Sequence, residues 1–127
     1  MKISLVRRVV AEFFGTAFLV AAVIGSGIMA DRLSGANVGL ALLENTIATG
    51  AALVALIVTF GPISGAHLNS VVTIMDALEH GLPWSESPSY ILGQLLGGIS
   101  GATAAHLMFG LPVVSLSTHA SCAQRLC

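Results

Sequence analysis

Charge is scarce in this sequence. Five Lys and Arg and six Asp and Glu make up 9% of the 127 residues, for a formal net charge of -1. Neutralising a phosphate backbone needs clustered cations, and the one cluster here is Lys2, Arg7 and Arg8 at the N-terminus; nucleic acid is excluded as a partner. Cysteine is scarcer still. Cys122 and Cys127 both fall in the last few residues, so they cannot staple a core as the disulfides of a small secreted domain do. Catalytic combinations are missing too: no nucleophile and base stand in triad or elbow context, and the chain is expected not to be an enzyme. His67 has no Cys, Asp or second His at ligand spacing in the neighbouring apolar segments, and His119, Cys122 and Cys127 offer only three donors in a weakly ordered tail. Neither a metal nor another cofactor is expected.

Apolar residues are what the sequence has in abundance. They form 55% of the chain, and the mean hydropathy of +0.92 places it among integral membrane proteins. Three runs are long enough to span a bilayer, at residues 9–29, 39–60 and 90–110. The first is too long for a signal-peptide core, and Glu12 interrupts its start, so it reads as a transmembrane helix. Lys2, Arg7 and Arg8 precede it directly, and the positive-inside bias makes residues 1–8 cytoplasmic. The plasma (cell inner) membrane is the expected location. Residues 31–37 then form an outer turn, and residues 111–127, with Pro112 near their start, an outer-side tail. Ala17, Ala21 and Gly25 in the first run, and Gly93, Gly97 and Gly101 in the third, recur every four residues, which makes smooth ridges for helix packing in lipid.

Between the second and third runs the pattern breaks. Pro62 and Gly65 disfavour a continuous helix, so residues 61–68 are expected to form a re-entrant loop. Residues 69–80 read as a helix of roughly 15 Å, half a bilayer at most, with Gly81 available for a left-handed cap and Pro83 just beyond. Asn69 at its N-cap can accept from the free N–H groups of the first turn, which leaves its amide hydrogens pointing outward beside the positive end of the helix dipole. Such a site attracts the oxygen of water or a small alcohol and repels cations. Carbonyls of Gly65, Ala66, His67 and Leu68 supply acceptors along the same path. Glu12 needs donors at membrane depth, and the backbone N–H groups of this loop, or His67, are the expected source. Glu44, nearer the outer end of its run, is expected to reach water.

Three stretches carry a family resemblance. Ala11-Glu12-Phe13-Phe14-Gly15-Thr16 resembles the first-helix signature of the major intrinsic proteins, the aquaporins and glycerol facilitators. Ile63-Ser64-Gly65-Ala66-His67-Leu68-Asn69 resembles the approach to that family's first Asn-Pro-Ala box, and Tyr90-Ile91-Leu92-Gly93-Gln94-Leu95-Leu96-Gly97-Gly98 is similar to the start of its third helix. The resemblance covers about residues 9–117. It implies an all-α integral membrane fold of three transmembrane helices plus one re-entrant half-helix, half of an aquaporin-like inverted repeat. The implied activity is passive transport of water or small neutral solutes. It also implies Asn69 as the pore asparagine, Gly65, Ala66, His67 and Leu68 as a carbonyl ladder, and Glu12 as the brace of the loop. Thr49 stands where water-selective members carry a bulky aromatic, which implies a wider opening suited to glycerol-like solutes.

Two departures accompany it. The box reads Asn69-Ser70-Val71, so the first helical position lacks the preorganisation of proline and gains a hydroxyl. Only one of the family's two repeats is present, so the expectation is a truncated channel protein; the alternative is a non-conducting remnant or an interaction subunit that pairs through the glycine ridge. A lone half-helix leaves its N-terminal N–H groups unmet at mid-membrane. Besides the lipid bilayer and the solute, the expected partners are therefore a second half-channel or further copies of the chain, the family forming tetramers.

Overall fold

In lipid, backbone N–H and C=O groups must pair within the chain, and long apolar runs meet that demand as helices. The computed structural model describes residues 3–113. Residues 114–127 of the expected tail, with His119, Cys122 and Cys127, and Lys2 at the other end, lie outside the described residues. Four helices follow in order: α1 (Leu5–Leu33), α2 (Val38–Ser64), α3 (Ser70–Leu78) and α4 (Ser87–Met108). At 1.5 Å per residue α1, α2 and α4 reach about 43, 40 and 33 Å, each enough to cross a hydrocarbon core of about 30 Å. By length and composition these three are candidate membrane spans. Helix α3, at about 14 Å, reaches only half way.

Helix α1 is the centre of the assembly, with α2 on one side and α4 on the other, while α3 packs on α4. The α1–α4 seam is built from backbone. Gly93 lies against the Val9 carbonyl, Gly97 against that of Phe13 and Gly101 against that of Ala17. A Cβ at Gly97 or Gly101 would overlap the facing carbonyl oxygen. Lipid tails are as apolar as leucine, so close van der Waals approach rather than water exclusion holds such a pair together.

Several helix ends differ from those expected. Helix α1 starts at Leu5 rather than residue 9, taking Arg7 and Arg8 into its first turn. There Arg8 Nη2 donates to Glu86 Oε2 at 2.5 Å, and the guanidinium lies 5.8 Å from the centre of the Tyr90 ring, so the cation is met by α4. The same helix runs on to Leu33, past residue 29. Helix α2 continues through Pro62 to Ser64 instead of breaking at residue 61. A proline removes its own N–H from the ladder and crowds the carbonyl four residues before it, a disturbance that membrane helices tolerate. The next bonds still close, with Gly65 N donating to Gly61 O at 3.0 Å. The break falls at Gly65, whose φ of 93° ends the helix in the left-handed region.

At the other end of the loop, α3 stops at Leu78, short of residue 80. His80 (φ 64°), not Gly81, takes the left-handed cap position. Gly81 N donates to Asp76 O at 2.9 Å, the long-range bond of a Schellman closure. Helix α4 begins at Ser87 rather than residue 90, because Pro88 suits a first turn that needs no N–H there, and it ends at Met108.

The glycine seam yields a paired prediction. Gly97→Ala puts a methyl group onto the Phe13 carbonyl and should destabilise the protein in detergent by about 1–3 kcal/mol. Gly98, one residue along, has nothing within 4 Å of the same added atom. Gly98→Ala should leave the thermal midpoint unchanged or raise it, by up to about 1 kcal/mol of helix propensity. Equal losses in both variants would contradict a seam held by backbone approach.

Candidate functional site

Glu12 is fully buried, one turn beyond Arg8 on α1. A carboxylate there demands donors, and four arrive. Oε1 accepts from Ser64 Oγ at 2.6 Å and from His67 N at 2.9 Å; Oε2 accepts from Leu68 N at 2.7 Å and from Gln94 Nε2 at 2.8 Å. Three elements thus meet on one side chain: the end of α2, the loop that follows it, and α4.

The loop backbone is shaped to make this possible. Ala66 (φ 50°) and Leu68 (φ 52°) join Gly65 in the left-handed region, at about 1–2 kcal/mol for each residue that carries a Cβ. Hydrogen bonds to a charged group contribute about 1.5–3 kcal/mol each, so the two backbone bonds to Glu12 outweigh that strain. Ser64 Oγ also accepts from Ala66 N at 3.1 Å, and Tyr90 Oη donates to Ser64 O at 3.0 Å. The Leu68 side chain closes the packing by filling the space left by the missing Cβ of Gly15, beside Phe60.

The geometry on the opposite side follows from peptide planarity. In a trans peptide the C=O points away from the next N–H. With the N–H groups of His67 and Leu68 turned to Glu12, the carbonyls of Ala66 and His67 point away from it. Among the described residues no hydrogen bond is donated to the carbonyls of Gly65, Ala66, His67 or Leu68. They form a row of free acceptors that ends at α3.

Asn69 caps α3 in extended conformation (φ −155°, ψ 132°), and its Oδ1 accepts from Val71 N at 2.9 Å. Its Nδ2 makes no hydrogen bond among the described residues, and the residue is exposed. Ser70 and Val71 form the first turn of α3 beside it. Thr73, one turn on, is fully buried; its Oγ1 accepts from Gln94 Nε2 at 2.9 Å and lies 3.1 Å from His67 Nδ1.

The structure therefore gathers Glu12, Gly65, Ala66, His67, Leu68, Asn69, Ser70 and Val71 into one loop and helix start. Thr49 is not part of that cluster. It sits half-buried in mid-α2, 15 residues before Ser64 by number, or about 22 Å along the helix. Gly93, Gly97 and Gly101 belong to the α1–α4 seam rather than to the loop. Glu44 is exposed and accepts from Ser34 Oγ at 3.2 Å, beside the outer turn. Sequence reasoning missed Ser64, Thr73 and Gln94 as site residues. A usable signal existed for Gln94, because a polar amide inside an apolar span needs a buried partner. Ser64 and Thr73 carry no such signal, since a hydroxyl in a helix is ordinarily satisfied by its own backbone.

Glu12→Gln tests the brace. The substitution turns one acceptor oxygen into an NH2 group facing donors, a loss of about 3 kcal/mol where a charged acceptor served two of them. Hydrogen exchange at the His67 and Leu68 amides should accelerate by about two orders of magnitude, since each 1.4 kcal/mol is a factor of ten, while amides in mid-α1 change little. Unchanged protection at both amides would remove Glu12 from this role.

Comparison with known proteins gives the chain its relatives. The model of the major intrinsic protein family matches residues 1–125. An aquaglyceroporin, AqpS, of Rhizobium meliloti is 52% identical over 114 residues, covering 90% of this chain and 48% of the relative. A probable aquaporin, NIP7-1, of Arabidopsis thaliana is 45% identical over 102 residues, 80% of this chain and 34% of its own length. An aquaporin of Laccaria bicolor is 44% identical over 98 residues, 76% of this chain and 36% of the relative. The chain spans about half the length, or less, of these curated relatives. With the family model covering nearly every residue and three apolar helices long enough to cross a bilayer, the chain is an integral membrane protein of the major intrinsic protein family.

Proposed function

We propose that this chain supplies one pore-lining half of a channel for passive movement of water or small neutral solutes of the glycerol type. The observation that carries the reading is the row of unbonded carbonyls at 65–68, which leads to the free amide of Asn69 at the start of a helix of half-membrane length. Acceptors in a row replace, one after another, the hydrogen bonds a hydroxyl loses on leaving water. Asn69 Nδ2 and the positive end of α3 then orient the solute oxygen and disfavour cations. Transport of this kind needs no bond-making chemistry and no cofactor.

Ser70, in place of a proline, adds a backbone N–H and a hydroxyl at the same helix start, and Val71 narrows the space beside it. Thr49, smaller than an aromatic, fits a wider opening, in keeping with the aquaglyceroporin named among the relatives. Arg7 and Arg8 at the start of α1 favour a cytoplasmic N-terminus in the cell's inner membrane. The exposed start of α3 calls for a facing half-channel, from a longer polypeptide or from another copy of the chain, within an oligomer such as a tetramer.

Reconstitution into proteoliposomes of the chain assembled with its facing half, with stopped-flow measurement of water and glycerol flux, tests the proposal. Removing one solute hydrogen bond at the barrier, about 1–1.5 kcal/mol, should slow flux by about tenfold in Asn69→Leu. Identical rates for the two proteins, or flux at the level of empty vesicles for both, would overturn it.

A further inference from the structure

Asp76 is a carboxylate in the wrong place for its helix. It lies in the last turn of α3, where the dipole is negative, and no basic residue shares that turn. What faces it is the ring of the loop histidine, with His67 Nε2 3.4 Å from Asp76 Oδ2. The carboxylate occupies the space that a Cβ on Gly81 would fill. The absent side chain of Gly81 thus serves Asp76 rather than the cap, whose left-handed residue is His80.

A count of protons shows what this contact decides. Gln94 Nε2 has two hydrogens and gives one to Glu12 Oε2 and one to Thr73 Oγ1. Thr73 has a single hydroxyl proton and two acceptors in reach, His67 Nδ1 at 3.1 Å and Asn69 O at 3.3 Å. A neutral imidazole carries its proton on one nitrogen only. With the proton on Nδ1, the bare lone pair of Nε2 would face the Asp76 carboxylate. With the proton on Nε2, that repulsion becomes attraction, and Nδ1 accepts from Thr73.

We propose that Asp76 is a positioning residue for His67: its carboxylate keeps the ring proton on Nε2, so that Thr73 donates to Nδ1 and the ring is held between α3 and α4. The groups around His67 are Glu12 of α1 at its backbone N–H, Thr73 and Asp76 of α3, and Tyr90 of α4, whose ring centre is 5.4 Å away. A one-directional chain of hydrogen bonds then runs from Gln94 through Thr73 to His67, whose Nε2–H lies beside the Asp76 carboxylate. It fixes the residue whose carbonyl stands in the middle of the 65–68 row, and the importance of that row rests on the channel reading above.

Nitrogen NMR of the full chain, with labelled imidazoles and His67→Gln to assign the signal, reads the tautomer directly. At a pH where the ring is neutral, the wild type should show Nε2–H. Two variants disturb Asp76 differently: Asp76→Ala removes the charge, and Gly81→Ala keeps it but pushes the carboxylate aside. The φ of Gly81 is not in the left-handed region, so alanine is allowed there. In both, the Nδ1–H population should rise: by up to about fivefold in Asp76→Ala, the bound set by losing a unit charge about 4 Å away in a water-like medium, and by less in Gly81→Ala, where the charge is only displaced. An Nδ1–H ring in the wild type, or an unchanged tautomer ratio in both variants, overturns the inference. The readout needs no flux, so a wild type without transport would sink the channel reading and leave the tautomer result standing.

Discussion

A buried carboxylate must collect donors or lose its charge, and the way Glu12 collects them organises the molecule. Two of its four donors are backbone N–H groups. A loop that turns successive N–H groups inward must turn its carbonyls outward, so the brace and the acceptor row are two faces of the same peptide planes. Neither can be altered alone. The left-handed residues Ala66 and Leu68 are the local cost of that arrangement, and they persist because Glu12 and Ser64 hold the loop from within.

The same side chain explains why a short helix is stable beside the loop. Nine residues form a marginal helix in isolation. Helix α3 is held at its start by Asn69 Oδ1 and along its buried face by Thr73 and Ala77 against α4. Gln94 joins that face to Glu12 by donating to both Thr73 and the carboxylate. The half-helix is therefore positioned by polar contacts at its inner side, while Val71, Val72, Ile74, Met75 and Leu78 remain uncovered by protein. Those side chains are apolar because what surrounds them in a membrane is lipid or another apolar protein surface.

Much of this was legible in the sequence, and the parts that were not share a cause. Apolar runs of 20 residues announce spanning helices, and a break with Asn69 after it announces a capped half-helix, because both follow from local chain physics. The ends of the helices were less legible. Pro62 looked like a break, yet the chain stayed helical to Ser64, where two tertiary hydrogen bonds, to Glu12 and from Tyr90, fix the last residue. Gly81 looked like a cap residue because glycine usually is one, but its lack of a side chain answers to the carboxylate of Asp76. Glu12 could be seen to need donors; that Ser64 and Gln94 would complete the set, with Thr73 taking the other amide hydrogen of Gln94, could not, since their part depends on how α1 lies against α2 and α4.

That separation is set by the glycines, and the register makes seam and site one construction. Gln94 follows Gly93 and precedes Gly97 by three residues, and on α1 Glu12 stands between Val9 and Phe13, whose carbonyls those glycines face. Bringing the two backbones into contact at Gly93 and Gly97 places the residues between them at short reach, so Gln94 Nε2 arrives 2.8 Å from Glu12 Oε2 with its amide spanning to Thr73. A wider seam with larger side chains would hold the helices together but move the amide away from the carboxylate. One of its four donors would then be lost, along with the link to α3. The small residues at this interface therefore do more than permit packing: they set the distance at which a buried charge on one helix can govern a loop that three helices share.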